Sequence, residues 1–395
     1  MRLPVPFLVF VAAVSAGCGI YGCGAHGCGA PRWLGSSAEP VARAAEPVAR
    51  AAEPAHPGSV EARRAAVTGE PTRAAHEEAG GETGAGEPGI AAVRRAVSRA
   101  LPFLEQEGVA WMEGRVPVQE GQGCVSCHHV PYAVWSHAEA RRAGIHPGAG
   151  MAELETRAVE FTSRRSKARA LNVAPLLLGQ AHGEMLVQRL LEHQEPAGHF
   201  RARGQFPAQR RPVAEGNAVA TTLSLLALNA RPGEGSAVAA AGRASEWLDE
   251  APDSWRSTEW IAVRLLLASA DLEENGPRPG AISPRHQLEV LQNPDGGWPW
   301  AEGEPSNAFS TGQALHALAA AHATRGARSA EIIEAGQRYL VGSQRDDGTW
   351  TVASSLVSEE GTADRDVIYH YWGTAWATIG LARSLDSAEV SRTER

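Results

Sequence analysis

Two thiols two residues apart, followed at once by two imidazoles, occupy the stretch GCVSCHHVPYAVW at residues 123–135. Cys124 and Cys127 have the spacing at which each thiol adds to one vinyl group of a haem, and His128, directly after the second thiol, turns under the ring to ligate the iron. Zinc is an alternative occupant: Cys124 and Cys127 with two of His128, His129 and His137 make a four-ligand structural site. A disulfide between Cys124 and Cys127 needs no cofactor and can be redox-active, but it leaves the histidine pair without a role. With 14 histidines in 395 residues, a histidine immediately after such a cysteine pair arises by chance roughly once in thirty. Haem c is therefore the favoured cofactor and zinc the runner-up. His137 is the first candidate for a sixth iron ligand, ahead of His146, Met112 and Met151, because His129 adjoins His128 and cannot swing to the opposite face. A methionine there would raise the potential, and an open position would admit small molecules or peroxide chemistry.

Covalent haem attachment and disulfides both belong outside the cytoplasm, and the N-terminus agrees with export. One arginine precedes an apolar run over residues 3–14 and then small residues, the layout of a signal peptide over residues 1–17. The stretch VSAGC resembles a bacterial lipoprotein processing site that would make Cys18 the lipidated first residue. A periplasmic or outer-surface location follows, with contact to a membrane only through that anchor. Cys23 and Cys28 continue a glycine-rich run of equal cysteine spacing around His26, which reads as a low-complexity tether. A repeated seven-residue unit, AEPVARA, then opens an Ala-, Glu- and Pro-rich stretch that lacks core-forming side chains, so residues 18–89 form a disordered spacer. The net charge of −8 leaves no basic face for nucleic acid.

The elements that must position the cysteine loop are helices. Ile90, Val93, Val97, Leu101 and Leu104 recur three or four apart with charged residues between them, and glycine-bounded segments of this kind continue to about residue 385. A unit repeats within them. Gln194, Gly198 and Phe200 share their offsets with Gln292, Gly296 and Trp298 and with Gln344, Gly348 and Trp350; a worn copy keeps Trp247, Leu248 and Trp255. Each unit reads as the end of one helix, a glycine turn closed by an aspartate such as Asp295 or Asp347, an aromatic plug, and a second helix. Those aspartates read as structural.

This Gln, Asp-Gly, Trp pattern resembles the QW repeats of the terpenoid cyclase and protein prenyltransferase superfamily, at the level of repeats, over residues 90–385. The resemblance implies an all-α, single α/α toroid of about six helix pairs, starting near Ile90, Met151, Glu184, Val238, Arg285 and Glu331, with inner helices around a cavity. Residues 386–395 are expected to be a disordered tail. The cysteine loop, residues 114–130, falls between the helices of the first pair, at the rim of the ring. The Asp-rich acid motif of squalene-type cyclases, DxDD or DCTAE, is absent. RDVIYHYWGTAW is similar to the His-bearing zinc segment of protein prenyltransferases, with His370 in the matching place, yet no cysteine follows Cys127 to complete that site. His370 is then a polar residue of an inner helix. Tyr369, Tyr371, Trp372, Trp376, Trp298 and Trp300 are candidates either to line the cavity or to plug the core.

The pairing of a CVSCHH loop with such repeats is also similar to exported bacterial proteins, a likeness that assigns no activity. Three functions stay open. The first is an exported c-type haem protein in electron transfer or redox sensing, with a redox partner protein. The second is a cofactor-free toroid enzyme acting on a terpenoid or carbohydrate, with Glu259 and Asp366 as the carboxylates to inspect. The third is a scaffold lipoprotein clipped by zinc or a disulfide.

Overall fold

The computed structural model describes residues 89–393 apart from 116–128, 147, 149, 165–168, 182–183, 204–208, 232–234, 253, 272–282, 322–326 and 353–362. The signal peptide, Cys18, the spacer to residue 88, and Cys124, Cys127 and His128 lie outside the described residues.

Twelve helices and no strand occur among the described residues: α1 (Ile90–Met112), α2 (Val130–Arg142), α3 (Met151–Arg164), α4 (Ala170–Leu178), α5 (Glu184–Leu191), α6 (Val213–Asn229), α7 (Gly235–Asp249), α8 (Thr258–Asp271), α9 (Pro284–Leu291), α10 (Ala308–Ala320), α11 (Ala327–Ser343) and α12 (Ala363–Thr393). Two kinds alternate. The odd-numbered helices bury one stripe; in α1 it is Val93, Ala96, Val97, Ala100, Leu101 and Leu104, with charged residues between them. The even-numbered helices are buried over most of their described residues, and residues 308–319 of α10 and 130–140 of α2 are buried on every side. A helix hidden on every side must have neighbours on every side. Accordingly α2, α4, α6, α8, α10 and α12 each pack on the next, and α12 packs back on α2. The odd helices sit outside this closed inner ring, giving the six pairs of an α/α toroid.

Contact is tightest between α10 and α12. A Cβ on Gly312 would lie 2.3 Å from the Trp376 carbonyl carbon, and one on Gly380 2.4 Å from the Gly312 oxygen. Only glycine at these two positions lets the backbones approach so closely. α12 continues as helix to Thr393, through most of the stretch expected from the sequence to be a disordered tail. Residues 381–395 hold neither proline nor glycine, so nothing in them breaks the helix.

The repeated unit is a staple between consecutive outer helices. Gln194 donates to the carbonyls of Gly198 and, on α7, Ala240 (2.8 and 2.7 Å); Gln292 donates to those of Gly296 and, on α11, Ile332 (2.8 and 2.9 Å). Gln344 donates to those of Gly348 and, on α1, Ala96 (2.9 and 2.8 Å), which joins the last pair to the first and closes the ring. The three glycines have φ of 95°, 86° and 84°. Behind each turn the plug is tied to the inner helix: the backbone N–H groups of Phe200, Trp298 and Trp350 donate to the hydroxyls of Thr221, Thr311 and Thr374. Asp295 accepts from the Gly297 N–H and Asp347 from the Thr349 N–H, the structural role expected of them.

Candidate active site

Toward the C-terminal ends of five inner helices, and beside Arg383 of α12, the ring forms a cavity of about 520 Å³ that opens to solvent. Every inner helix contributes to its wall. Trp135, Leu177, Leu226 and Leu266 supply apolar surface; Glu139, Arg142, Arg231, His316 and Arg383 supply the polar groups. The volume suits a small molecule, and the mixture of an apolar wall with a few convergent polar groups is that of a ligand site. Arginines also serve the backbone at this end of the ring. Arg94 donates to the Ala143 carbonyl (2.7 Å), Arg231 to that of Ala181 (2.8 Å) and Arg285 to that of Ala321, satisfying acceptors just past the inner helices.

Glu139 is the centre of the polar wall. It is 5% exposed, accepts from Trp135 Nε1 at 3.3 Å, and lies 3.3 Å from Arg142, 3.7 Å from Arg383 and 3.7 Å from His316 Nε2. Burial raises its pKa, but the contacts with His316, Arg142 and Trp135 together outweigh burial and hold the carboxyl below its ordinary range. It is therefore an anion at neutral pH. His316, itself 5% exposed, turns Nε2 to this carboxylate, while its Nδ1 has no hydrogen-bond partner among the described residues. A carboxylate facing one nitrogen of an imidazole is half of the arrangement of a general base; the other nitrogen, Nδ1, is buried.

A second buried charge cluster lies near the start of α8. Glu259 is 1% exposed, 2.6 Å from Arg211, and accepts from Gln313 Nε2 at 2.7 Å. Burial pushes this carboxyl up, opposed by Arg211 and Gln313 and helped by nearby Glu215. Glu215 in turn accepts from the Ser257 hydroxyl, and Arg211 lies over the Trp300 ring. Glu259 thus points inward, as the enzyme reading requires, but it does not line the cavity. Asp366 is half-buried near the start of α12 and is not among the groups around Glu259.

An aromatic stack forms around His129, at the start of α2. The His129 ring lies between Trp111 (centroids 3.6 Å apart) and Tyr371 (4.1 Å), and Tyr371 donates its hydroxyl to the Leu104 carbonyl. His129 is 1% exposed, so its ring is committed to this stack. His137 lies two turns further along α2, fully buried, with Nδ1 against the Ala133 carbonyl at 2.8 Å and Nε2 without a hydrogen-bond partner among the described residues. Its pKa falls to about 4 because burial disfavours the imidazolium. His146 is exposed, Met151 buried and Met112 half-buried. No group of three or more His, Cys, Asp or Glu among the described residues is placed to hold a metal ion. His370 is half-buried, with its pKa lowered by burial, and packs edge-on to Phe103. The six aromatic residues expected to line or plug the ring are plugs: Trp298 donates to the Leu288 carbonyl, Trp372 and Trp376 surround Tyr132, and none of the six lines the cavity. Trp135 is the aromatic residue that does.

Fold and site together define an α/α toroid of six helix pairs with a cavity of about 520 Å³ walled by its inner helices. No protein-family model matches the chain, and no curated protein matches it. Among solved structures, the ligand-free type II terpene cyclase MstE from Scytonema superposes with a TM-score of 0.52 at 15% identity, over 76% of this chain and 99% of that chain. Variants of the same Scytonema cyclase superpose almost as well. One holds its substrate, geranylgeranyl dihydroxybenzoate (TM-score 0.51, 15% identity, 76% and 99% covered), and another its product, merosterolic acid A (TM-score 0.51, 16% identity, 76% and 99% covered). At such identities the likeness is one of fold. The helices supply the ring, and function has to be argued from the side chains inside it.

Proposed function

We propose that the protein is a toroid enzyme that exchanges a proton with an apolar small molecule, of the terpenoid kind, held in the central chamber. The observation that carries this reading is the Glu139–His316 pair on a wall to which all six inner helices contribute. In this reading the His316 imidazole takes a proton from the ligand or returns one to it. The Glu139 carboxylate, facing Nε2, stabilises the imidazolium that forms in between. The separation of 3.7 Å is long for a hydrogen bond and tightens on ligand binding. Trp135 and the leucines exclude water and hold the apolar body. The test is deuterium incorporation from heavy water into a panel of terpenoid acids and alcohols, read by mass spectrometry. Wild-type protein should label at least one compound, and His316→Ala should label none. Labelling that survives in His316→Ala, or is absent across the panel, contradicts the reading.

A second reading concerns the rim. The Cys124, Cys127 and His128 motif, with an export signal ahead of it and His129 anchored by the Trp111 and Tyr371 rings, favours a c-type haem joined through both thiols, with His128 on the iron. Bound there, the haem would supply one-electron chemistry in a protein exported and tethered through Cys18. Expression with haem-attachment machinery, followed by a haem stain after denaturation, should then find covalent haem that Cys127→Ser loses. A colourless product with stoichiometric zinc supports the structural clip instead.

A further inference from the structure

A second cavity, of about 210 Å³, shares no residue with the central chamber. Its walls are Arg169 at the start of α4, Glu192, His193 and Glu195 just past α5, and Arg201 and Arg203 on the chain leading to α6. It is smaller than the usual site for a whole small molecule and of a size for one anionic group. The charges on its walls pair off one by one. Glu195 uses both oxygens on Arg201, at 2.7 and 3.1 Å, and Glu192 is held by Arg189 at 2.7 Å. Arg169 and Arg203 are left over, and neither guanidinium has a hydrogen bond or an ion pair among the described residues. His193 adds Nε2, which is buried and without a hydrogen-bond partner among the described residues. Burial lowers the His193 pKa against the pull of Glu192, and Arg203 and Arg189 add to the fall, so the ring is neutral at neutral pH. A neutral imidazole can carry its proton on Nε2 and donate it.

We propose that this cavity binds a tetrahedral oxyanion, a phosphate or sulfate group, between Arg169, Arg203 and His193 Nε2. With each glutamate matched by its own arginine, the site keeps an excess of two positive charges, which matches a dianion. The donors come from three separate segments of chain, an arrangement that suits oxygens spread tetrahedrally better than the two coplanar oxygens of a carboxylate. Gln194 lines the same cavity and bonds to Ala240 of α7, so the bound anion would tie the start of α4 to the first staple.

Calorimetric titration of the full chain with inorganic phosphate, sulfate and glycerol 3-phosphate, each against sodium chloride at equal ionic strength, tests the site. At least one of the three should bind, at one site per chain. A charge-assisted hydrogen bond is worth about tenfold or more in affinity, so Arg169→Gln and Arg203→Gln should each weaken binding at least about tenfold. Both residues are exposed, and neither substitution disturbs the core. Arg164→Gln, on α3 and paired with Glu160, removes the same charge outside the cavity and should weaken binding by less than about twofold. Glycerol 3-phosphate binding the tightest supports a phosphate ester as the natural ligand, and tighter binding of either inorganic ion supports the free anion. No binding by any of the three, or an equal loss in Arg164→Gln and the two cavity variants, overturns the proposal.

Discussion

Replacing Gly348 with alanine should open the ring at its seam. Gly348 sits at φ 84°, and a Cβ there would lie 2.3 Å from the Arg99 carbonyl oxygen and 2.7 Å from its carbon, both backbone atoms of α1 that cannot rotate away. The left-handed backbone alone costs an L-residue roughly 1–2 kcal/mol. Moving the turn off α1 to relieve the overlap also stretches the Gln344 bond to Ala96 and the Arg99 bonds to the carbonyls of Arg345 and Asp346. Each contributes about 1 kcal/mol. The expected loss is therefore about 3–5 kcal/mol, a fall in melting temperature on the order of 10 °C for a domain of this size. Thermal unfolding followed by far-UV circular dichroism measures it. Gly242→Ala is the control, because Gly242 lies inside α7 with nothing within 4 Å of the added Cβ. There alanine should be neutral or raise stability by up to ~1 kcal/mol. If Gly348→Ala melts with the control, the seam does not hold the ring closed.

Gln292→Ala removes donors to Gly296 and Ile332 together and should cost about 2 kcal/mol in urea denaturation, against no measurable change for a glutamine outside a staple. His137, neutral in the fold with a pKa of about 4, takes up its proton near pH 6.5 once unfolded. Its contribution is complete above about pH 6.5 and is lost as the pH falls toward 4, by about 3 kcal/mol; His137→Leu should flatten that part of the stability profile, and an unchanged slope would contradict the burial argument. For Glu139, whose pKa is depressed, the stability it supplies is present above the ordinary carboxylate range and is lost as the pH falls through it. Glu139→Gln should lower the neutral-pH plateau of the urea midpoint and remove that acid-side loss.

The ring was legible because each of its parts has a local signature. Glutamine, glycine and aromatic residue recur at fixed offsets, and each plays the same geometric part wherever it recurs. Inner helices announce themselves by apolar residues on every side, as in FSTGQALHALAA, which cannot face water on any of them. The end of α12 was less legible, because a polar, breaker-free stretch such as SLDSAEVSRT reads equally as a solvated helix or a tail. The cavity was expected from the resemblance, but its polar lining was missed for a different reason. Glu139 stands in SHAEARR, a string that looks like an exposed helical face, and only ring closure carries α10 and α12 around to bury it. His316 gave the one usable signal, a histidine inside a run of alanines and leucines. Inward burial of Glu259 was anticipated, but its partner Arg211 lies 48 positions earlier, where no spacing rule reaches. Of the aromatic residues named for a possible cavity wall, Tyr369, Tyr371, Trp372 and Trp376 lie on the inner helix α12, whereas Trp298 and Trp300 lie in the turn ahead of α10. Helical periodicity fixes neither the ring's centre nor which of its faces stays open.

The location of a bound ligand tests the account most directly. A photoreactive diazirine analogue of a terpenoid acid, irradiated with the protein and mapped by peptide mass spectrometry, should attach to residues around Trp135, Leu177, Leu226 and Leu266. An excess of the unmodified terpenoid acid should suppress the labelling. Adducts scattered over the outer helices, or unaffected by that competitor, would contradict a ligand chamber inside the ring.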